Sequence, residues 1–494
     1  MSIKHILKIA LVLLLALSTL LSFVACNKDD GNNPTTPNDG NQETDPDVQL
    51  AFPQTDFKAT FNILYPEHNV YLDFFFATEE QRGETVADAI LTRSALVYNY
   101  LGVDVQGIPT PMHDQPFAIR AVAIELRNRI SAGEDAYQMV LTQSFESVTP
   151  MVLEGMLLDF YSMDYIDLEA DYWNKGAIDT LAVSGVGYYA LSDYMISDPD
   201  AVFFNKEMIL NYQDLEDPYT LVRTGEWTFD KLFEMCSAVD FDVDGLDDPK
   251  DGIYGLTSIS DGPIISLLDA YDVKLLDDYD GEKILNMSAG NDAYTTLLTT
   301  VWEKVAEDWF YLYPWNATEE TIIEMDQGTT LFSLASLKAA YRYRESKVKF
   351  GFLPYPKATA QQDYRCFDWS GMMCVPNTVQ NVEMMEKTLE ALSYFSTDTT
   401  VVAYYEKLLG GRLSDSPDDK EMLDIIWDHI VLNPVINYMG YSQEDLGKLV
   451  FSITRGCESV EANGKSSIDI ASYFQQFKTG AQNQIDQILN GKLD

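Results

Sequence analysis

Strand-like and helix-like segments alternate from Thr55 onward, and this order restricts the possible folds more than any other feature of the chain. FKATFNILY (57–65) and AYQMVLTQSF (136–145) have the β-branched and aromatic residues of strands. Between them, TVADAILTRSALVYNYLG (85–102) and FAIRAVAIELRNRISAG (117–133) repeat apolar residues at helical spacing, and each ends at a glycine. Alternation of this kind predicts an α/β fold with mainly parallel sheets.

The alternation continues through the second half of the chain. DAVFFN (200–205) and VKFGFLPYP (348–356) are predicted to be strands, and 384–396, 420–432 and 467–489 are predicted to be helices. At roughly 100 to 200 residues per domain, a chain of 494 residues is expected to form two or three compact units.

The N-terminus has the pattern of an exported protein. Two lysines precede the apolar run IALVLLLALSTLLSFVA (9–25), which is followed by Cys26. A basic start, a short apolar stretch and small residues before a cleavage site predict a signal peptide over 1–25. FVAC resembles a bacterial lipobox, with Phe23 in place of the usual Leu, so Cys26 is predicted to carry a lipid. A plain signal peptide followed by an incidental cysteine is the alternative.

The segment after Cys26 has the composition of a flexible tether. NKDDGNNPTTPNDGNQETDPD (27–47) contains no aromatic or large aliphatic residue. Such a stretch cannot form a core and should repel itself, so a tether is expected over 26–54. A lipid, a tether and a globular body together predict a protein held on the extracellular face of a cell membrane.

The chain is strongly acidic, with 33 basic and 78 acidic residues and a formal net charge of −45. A protein of this charge is repelled by nucleic acid and by anionic membrane surfaces, so no nucleic-acid partner is expected. Solvated surface accounts for most of that charge.

An aspartate-rich loop follows the segment WTFDKLFEMCSAV (227–239), which is predicted to be a helix with Thr228 as its N-cap. The loop has the ligand order of an EF-hand, with Gly245 at the sharp turn. The predicted calcium ligands are Asp240, Asp242, Asp244, the Leu246 carbonyl, Asp248 and Asp251. Asp251 replaces the usual Glu, and a strand-like segment replaces the second helix. An acidic surface turn without an ion is the alternative.

Four cysteines remain in the body: Cys236, Cys366, Cys374 and Cys457. Cys366 and Cys374 flank a short stretch and could form a disulfide in an exported protein, whereas buried free thiols are the comparable alternative. No CxxC motif is present, so a zinc or thioredoxin-type site has no support.

Several motifs occur in an order that is typical of one protein family. They are FFNKEM (203–208), DPYTLVRTGEWTFDKL (217–232), GTTLFSL (328–334) and FGFLPYPKATAQQDYRCFDWSGMMCVPNTVQN (350–381). From about residue 55 to the C-terminus, the chain resembles the extracellular solute-binding proteins of bacterial ABC importers, in the broad family of maltose-binding protein.

The resemblance implies a two-lobed, type II periplasmic-binding-protein-like fold whose ligand lies between the lobes. The N-lobe would comprise 55–190 and 349–398, and the C-lobe 191–348 and 399–494. The expected protein is a monomer that captures a small-molecule solute and delivers it to the transmembrane subunits of an ABC permease. By the same likeness the solute is a carbohydrate, with a peptide as the alternative.

Sugar sites use aromatic faces for apolar sugar surfaces and carboxylates or amides for the hydroxyl groups. The candidate ligand-binding residues are Trp369, Asp193, Gln143, Ser144, Trp173 and Asn174. For each Trp the alternative is core packing, because Trp is usually well buried. Trp302, Trp309 and Trp427 lie in helix-like stretches and are assigned to the core.

Catalysis has little support in the sequence. The four histidines, at positions 5, 68, 113 and 429, are scattered, so neither a His-based triad nor a His-based metal site is expected. A glycosidase needs only two carboxylates and is the enzyme alternative. A surface polysaccharide-binding protein or a sensor subunit with the same fold would differ only in its partner.

Overall fold

A computed structural model describes residues 48–66, 75–110, 121–142, 148–212, 215–239, 252–279, 282–285, 292–313, 325–414, 416–438 and 445–490. The chain divides into two units, Met1–Val48 and Gln49–Asp494. The second unit is the globular body. Within the described ranges, no helix has the length and apolarity needed to cross a membrane.

The strands, in chain order, are β1 (Ala59–Pro66), β2 (Val103–Thr110), β3 (Met139–Thr142), β4 (Asp200–Asn205), β5 (Tyr254–Ile259), β6 (Leu276–Tyr279), β7 (Glu282–Leu285), β8 (Phe310–Tyr313), β9 (Thr330–Ser336), β10 (Phe350–Leu353), β11 (Cys366–Phe367), β12 (Met372–Cys374) and β13 (Ile430–Val431). Short 3₁₀ turns span Glu79–Gln81, Phe160–Ser162, Asp193–Met195, Met325–Gln327 and Tyr343–Glu345.

The helices are α1 (Thr85–Leu101), α2 (Ala121–Ala132), α3 (Val148–Leu153), α4 (Lys175–Leu181), α5 (Lys206–Asn211), α6 (Pro218–Thr224), α7 (Phe229–Ser237), α8 (Gly262–Ile265), α9 (Leu267–Ala270), α10 (Asp292–Val305), α11 (Ala339–Arg342), α12 (Val382–Ser396), α13 (Pro417–Asp428), α14 (Pro434–Asn437), α15 (Asp445–Val450), α16 (Ser452–Asn463) and α17 (Ile470–Asn490). A π-helix, Thr397–Leu413, continues directly from α12.

The first lobe is built on a sheet of strand order β12-β3-β1-β2. β1 runs parallel to β2 and to β3, with Ala59 opposite Val103 and Ile63 opposite Met139. The buried side chains of β1 and β3 pack against helices α2, α3 and α4, which cover this sheet. Parallel strands need crossover connections, and α1 and α2 provide them between β1, β2 and β3, so the predicted alternation is confirmed here.

The second lobe is built on a sheet of strand order β10-β4-β9-β5-β8. β5 runs parallel to β8 and β9, whereas β4 is antiparallel to both of its neighbours. Its main core includes Trp227, Phe332 and Trp302 and extends to helices α7, α10 and α16. Trp302 and Trp309 are buried, and Trp427 is half-buried against the edge of a further core cluster.

The return to the first lobe occurs later than the sequence suggested. We expected the chain to re-enter the first lobe at 349, but β10 pairs with β4 in the second sheet. The first strand back in the first sheet is β12, which pairs with β3. A strand-like segment is equally compatible with either sheet, because the choice depends on distant partners rather than on local pattern.

The body also begins earlier than the expected tether allows. Phe52 is buried, and its carbonyl accepts a hydrogen bond of 2.7 Å from the Tyr100 hydroxyl. The backbone N–H groups of Thr55 and Phe57 donate to the carbonyls of Tyr100 and Leu101. Residues 49–54, which we assigned to the tether, are therefore packed onto the end of α1.

Local signals set the start of α7 as predicted. Thr228 is the N-cap, and its side chain accepts a hydrogen bond from the backbone N–H of Lys231. Trp227 and Leu232 are both buried on the inner side of this helix. The aspartate-rich loop beyond it, residues 240–251, lies outside the described residues, as do Cys26 and the remaining residues before 48.

The four cysteines of the body are free thiols, and all four are buried. Burial raises the pKa of the Cys366 thiol to about 12. The disulfide between Cys366 and Cys374 is therefore not formed, and the free-thiol alternative is the one observed.

Candidate functional site

The carboxyl ends of both sheets face the region where the chain crosses between the lobes. Asp200, the first residue of β4, lies opposite Ser336, the last residue of β9. Met372, the first residue of β12, lies opposite Thr142, the last residue of β3. Ligands of open α/β sheets bind outside the carboxyl ends of strands, so this region, which we call the cleft edge, is the candidate site.

Two buried aspartates connect the crossing segments at the cleft edge. Asp368 Oδ1 accepts hydrogen bonds of 2.8 Å from the backbone N–H groups of Asp198 and Ser370. Asp198 Oδ1 accepts one of 2.9 Å from the N–H of Lys338, which follows β9. Burial raises the pKa of the Asp198 carboxyl and lowers that of the Lys338 ammonium, while their mutual attraction opposes both changes. These bonds fix the first crossing to the second lobe.

Trp369 lies at this edge but is packed inside the protein. Its side chain is 7% exposed, and its indole N–H is within 2.8 Å of Asp200 Oδ2 and 2.9 Å of Ser266 Oγ. A side chain at Gly262 would contact the indole ring, so the ring closely covers this backbone. Burial raises the pKa of the Asp200 carboxyl well above its usual range. The geometry therefore favours the packing role, and the predicted contact of Trp369 with a ligand stays a prediction.

Trp173 and Asn174 have structural roles in the first lobe. Trp173 is buried, and its indole N–H donates to Glu390 Oε2 at 2.8 Å. The Asn174 side chain caps α4 by accepting a hydrogen bond of 3.0 Å from the N–H of Ala177. Both side chains are therefore committed to partners inside the lobe, and their roles in ligand binding remain predictions.

Asp193 lies on the first crossing, beside Trp173. Trp173 forms an isolated β-bridge with Ser192, so these two predicted residues and Asn174 share one corner of the first lobe. Thr397 Oγ1 donates a hydrogen bond of 2.6 Å to Asp193 Oδ2. Burial raises the pKa of Asp193 to about 6, although the bond from Thr397 opposes the increase. Trp369 is bonded elsewhere, to the start of β4, so no described contact joins it to this corner.

Gln143 and Ser144 lie outside the described residues. The six predicted calcium ligands lie outside them too. Within the ranges that are described, no three His, Cys, Asp or Glu side chains gather as a metal site would require.

Sequence reasoning missed Asp261, which lies just beyond the carboxyl end of β5. Its side chain is half-buried and forms no hydrogen bond with the described part of the chain, and Trp369 packs against the next residue, Gly262. Burial raises the pKa of Asp261 to about 6, and the nearby Glu458 adds to the increase. A carboxylate with unused acceptor capacity at a strand end can accept ligand hydroxyl groups. The sequence signal was the SDG triplet directly after a strand.

No protein-family profile and no curated protein matches the sequence. Solved structures do match. An ABC substrate-binding protein from Listeria monocytogenes in complex with cycloalternan is 13% identical, with a TM-score of 0.54, over 87% of this chain and 98% of that one. UgpB from Mycobacterium tuberculosis, in complex with glycerophosphocholine, is 14% identical, with a TM-score of 0.57, over 81% of this chain and 96% of that one.

The GacH receptor of Streptomyces glaucescens, whose complexes include one with acarbose, is 14% identical, with a TM-score of 0.56. The match covers 88% of this chain and 99% of the receptor. The chain therefore has the two-lobed α/β fold of the ABC substrate-binding proteins, as its sequence predicted.

Proposed function

We propose that this protein is a non-catalytic solute-binding protein of an ABC importer and that its solute is a carbohydrate. The fold supports solute capture between two lobes, because the matched proteins are named as substrate-binding proteins and receptors. Two of them were solved with the saccharide ligands cycloalternan and acarbose. UgpB was solved with glycerophosphocholine, so a phosphodiester is the competing solute class.

One observation in this chain carries the proposal: Asp261 presents a carboxylate at the cleft edge, adjacent to a backbone covered by Trp369. A carboxylate accepts hydrogen bonds from sugar hydroxyl groups but repels a phosphate. Asp261 therefore favours a neutral polyhydroxyl solute over an anionic one.

Calorimetric titration of the purified protein with oligosaccharides, peptides and glycerophosphodiesters tests this proposal. Oligosaccharide binding without release of reducing ends is expected. We expect Asp261→Asn to weaken that binding, while Asp308→Asn leaves it unchanged. Asp308 is a matched control because it is exposed at the start of β8, the opposite end of the same sheet. Tight binding of peptides or phosphodiesters alone would contradict the solute class, and turnover would contradict the absence of catalysis.

We further propose that Cys26 carries the lipid that anchors the protein on the extracellular face of the membrane. The apolar run before Cys26 and the polar segment after it support this role. Replacement of Cys26 by Ser should move the protein from the membrane fraction to the medium. If the variant stays with the membrane fraction, the protein is held in another way.

We also propose that the 240–251 loop binds calcium in a structural role. Its support is the order of five aspartates and one carbonyl around Gly245 in the sequence. Calcium should raise the melting temperature, because a ligand that binds only the folded state stabilises that state. Asp242→Ala should abolish the response. A wild-type melting temperature that is the same in calcium and in chelator would identify the loop as an acidic turn.

A further inference from the structure

A small pocket lies beside Asp193, between the first crossing and two helices, and Asp193 is the residue that its described lining shares with the ligand-binding candidates. Its volume is about 60 Å³. A cavity needs at least ~10–15 Å³ of such volume to hold one water, so this pocket is large enough for water or for one small molecule. The lining residues are Ser192, Asp193, Ile196 and Ser197 of the first crossing, Val401, Tyr404 and Tyr405 of the π-helix, and Trp427 of α13.

The charged group in the described wall of this pocket is the Asp193 carboxylate, and it has no counter-ion there. Asp193 Oδ2 accepts the bond from Thr397, and its Oδ1 forms no hydrogen bond within the described part of the chain. Among the described residues, no lysine, arginine or histidine lines the pocket. A half-buried carboxylate with a free acceptor oxygen favours a nearby positive charge.

Two aromatic rings form another wall of the pocket. The Tyr405 and Trp427 ring centroids are 4.4 Å apart, with the ring planes inclined at 52°. The Tyr405 hydroxyl donates a hydrogen bond of 3.2 Å to Asp424 Oδ1. Aromatic faces carry partial negative charge and attract cations such as ammonium groups. Binding sites for organic cations commonly combine aromatic faces with a carboxylate, and this pocket has both.

The acidic groups around the pocket reinforce this preference. The negative charges of Asp398 in the π-helix and Asp171 in the first lobe both raise the pKa of the Asp193 carboxyl. On the α13 side, the negative charges of Asp424 and Asp428 both raise the pKa of the Tyr405 hydroxyl. The charged groups that raise the pKa of Asp193 and of Tyr405 are therefore acidic. Arg93 is the buried cation nearest along the crossing, and its guanidinium lies over the ring of the next residue, Tyr194.

We propose that this pocket binds a compact organic cation, with an ammonium group beside Asp193 and its small apolar part against the wall formed by Tyr405 and Trp427. The pocket volume of about 60 Å³ suits a ligand of about the size of methylammonium. Because α13 packs against β10 of the second lobe, the bound cation would contact both sides of the crossing region. This proposal assigns the Asp193 carboxylate to the cation and leaves solute binding to the cleft edge around Asp261.

Titration with methylammonium chloride tests the proposal, with the melting temperature and calorimetric heat as readouts. Sodium chloride at equal ionic strength controls for general screening, and methanol is the neutral molecule of similar size. Methylammonium should raise the melting temperature, and both controls should not. The effect should be stronger at pH 7.5 than at pH 5, because the cation binds the ionised form of Asp193. Equal effects of methylammonium and sodium would overturn the proposal, as would equal binding of methanol.

Substitutions of one residue in each of two pocket walls test whether methylammonium binds in this pocket. Asp193→Asn keeps the shape and the acceptor for Thr397 but removes the charge, so binding should weaken at least tenfold. Trp427→Leu alters the opposite wall and should also weaken binding, which keeps the test valid if Asp193→Asn folds poorly. Asp308→Asn, far from this pocket in the second lobe, should bind methylammonium as the wild type does. Unchanged binding in both pocket variants would overturn the proposal.

Discussion

Replacement of Trp369 by Ala and by Phe separates the contribution of its ring from that of its indole N–H. The ring is 7% exposed, in contact with Phe367 and close to Gly262, so its removal leaves a cavity at the cleft edge. Truncation of a buried Trp to Ala typically lowers the free energy of unfolding by ~3 to 5 kcal/mol. We expect Trp369→Ala to lie in this range.

Trp369→Phe keeps most of the apolar ring and removes the N–H. Asp200 Oδ2 and Ser266 Oγ then lose a shared donor inside the protein. A buried acceptor left without its partner costs ~1 to 3 kcal/mol. Trp369→Phe should therefore lower the free energy of unfolding by less than Trp369→Ala does, and the difference between the two reports the ring itself.

Urea denaturation at pH 7.5, followed by circular dichroism, measures both values. Tyr98→Ala is the control, because Tyr98 is 58% exposed and its removal should change stability by less than ~0.5 kcal/mol. A loss below ~1 kcal/mol for Trp369→Ala would show that the ring is not part of the core. If that variant also lost solute affinity, the ligand-binding role predicted from the sequence would replace the packing role.

Glu390→Leu should lower the melting temperature, because the two carboxyl oxygens of Glu390 accept hydrogen bonds from the Tyr172 hydroxyl and the Trp173 indole N–H, and leucine would leave the buried indole N–H without an acceptor. Gly456→Ala should lower the free energy of unfolding, measured by chemical denaturation, by ~1 to 3 kcal/mol, because the added methyl group would overlap the Trp302 ring. An unchanged free energy of unfolding would mean that α10 and α16 can move apart. Since burial raises the pKa of Asp193 and of Asp261 to about 6, the folded state binds more protons than the unfolded state between pH ~4 and ~6. The free energy of unfolding should therefore fall as pH rises through that range, and the double Asn variant should show a weaker pH dependence of the melting temperature.

Local pattern predicted the parts of the fold that depend on local interactions. The strand at 200–205 has the predicted bounds, and the helix predicted at 384–396 begins two residues earlier. Thr228 caps its helix as expected, since capping depends on neighbours three residues away. The choice of sheet for 350–353 depends on contacts with β4, which lies far away in the sequence, and local pattern does not contain that information.

The candidate site was harder to predict for the same reason. Trp369 lies in a loop of small residues, which suggested a free aromatic face. In the structure, Asp200 and Ser266 approach its N–H from two other segments of the chain. Asp261 was missed because many aspartates follow strands in so acidic a chain, and only the sheet order shows which of them reach the cleft edge.

The bonds on either side of the first crossing define a very short pivot. Ser192 and Asp193 are hydrogen-bonded to Ser393 and Thr397 on one side. On the other side, Asp198 is hydrogen-bonded to Lys338 of the second lobe. The stretch between these two anchored points comprises residues 194–197, which span at most ~14 Å when extended.

A pivot this short permits rotation of one lobe but little sliding of the lobes past each other. When one lobe rotates away from the other, atoms far from the rotation axis move farther than atoms close to it. Spectroscopic labels placed at the outer rims of the two lobes should therefore report opening with a larger distance change than labels placed beside the pivot.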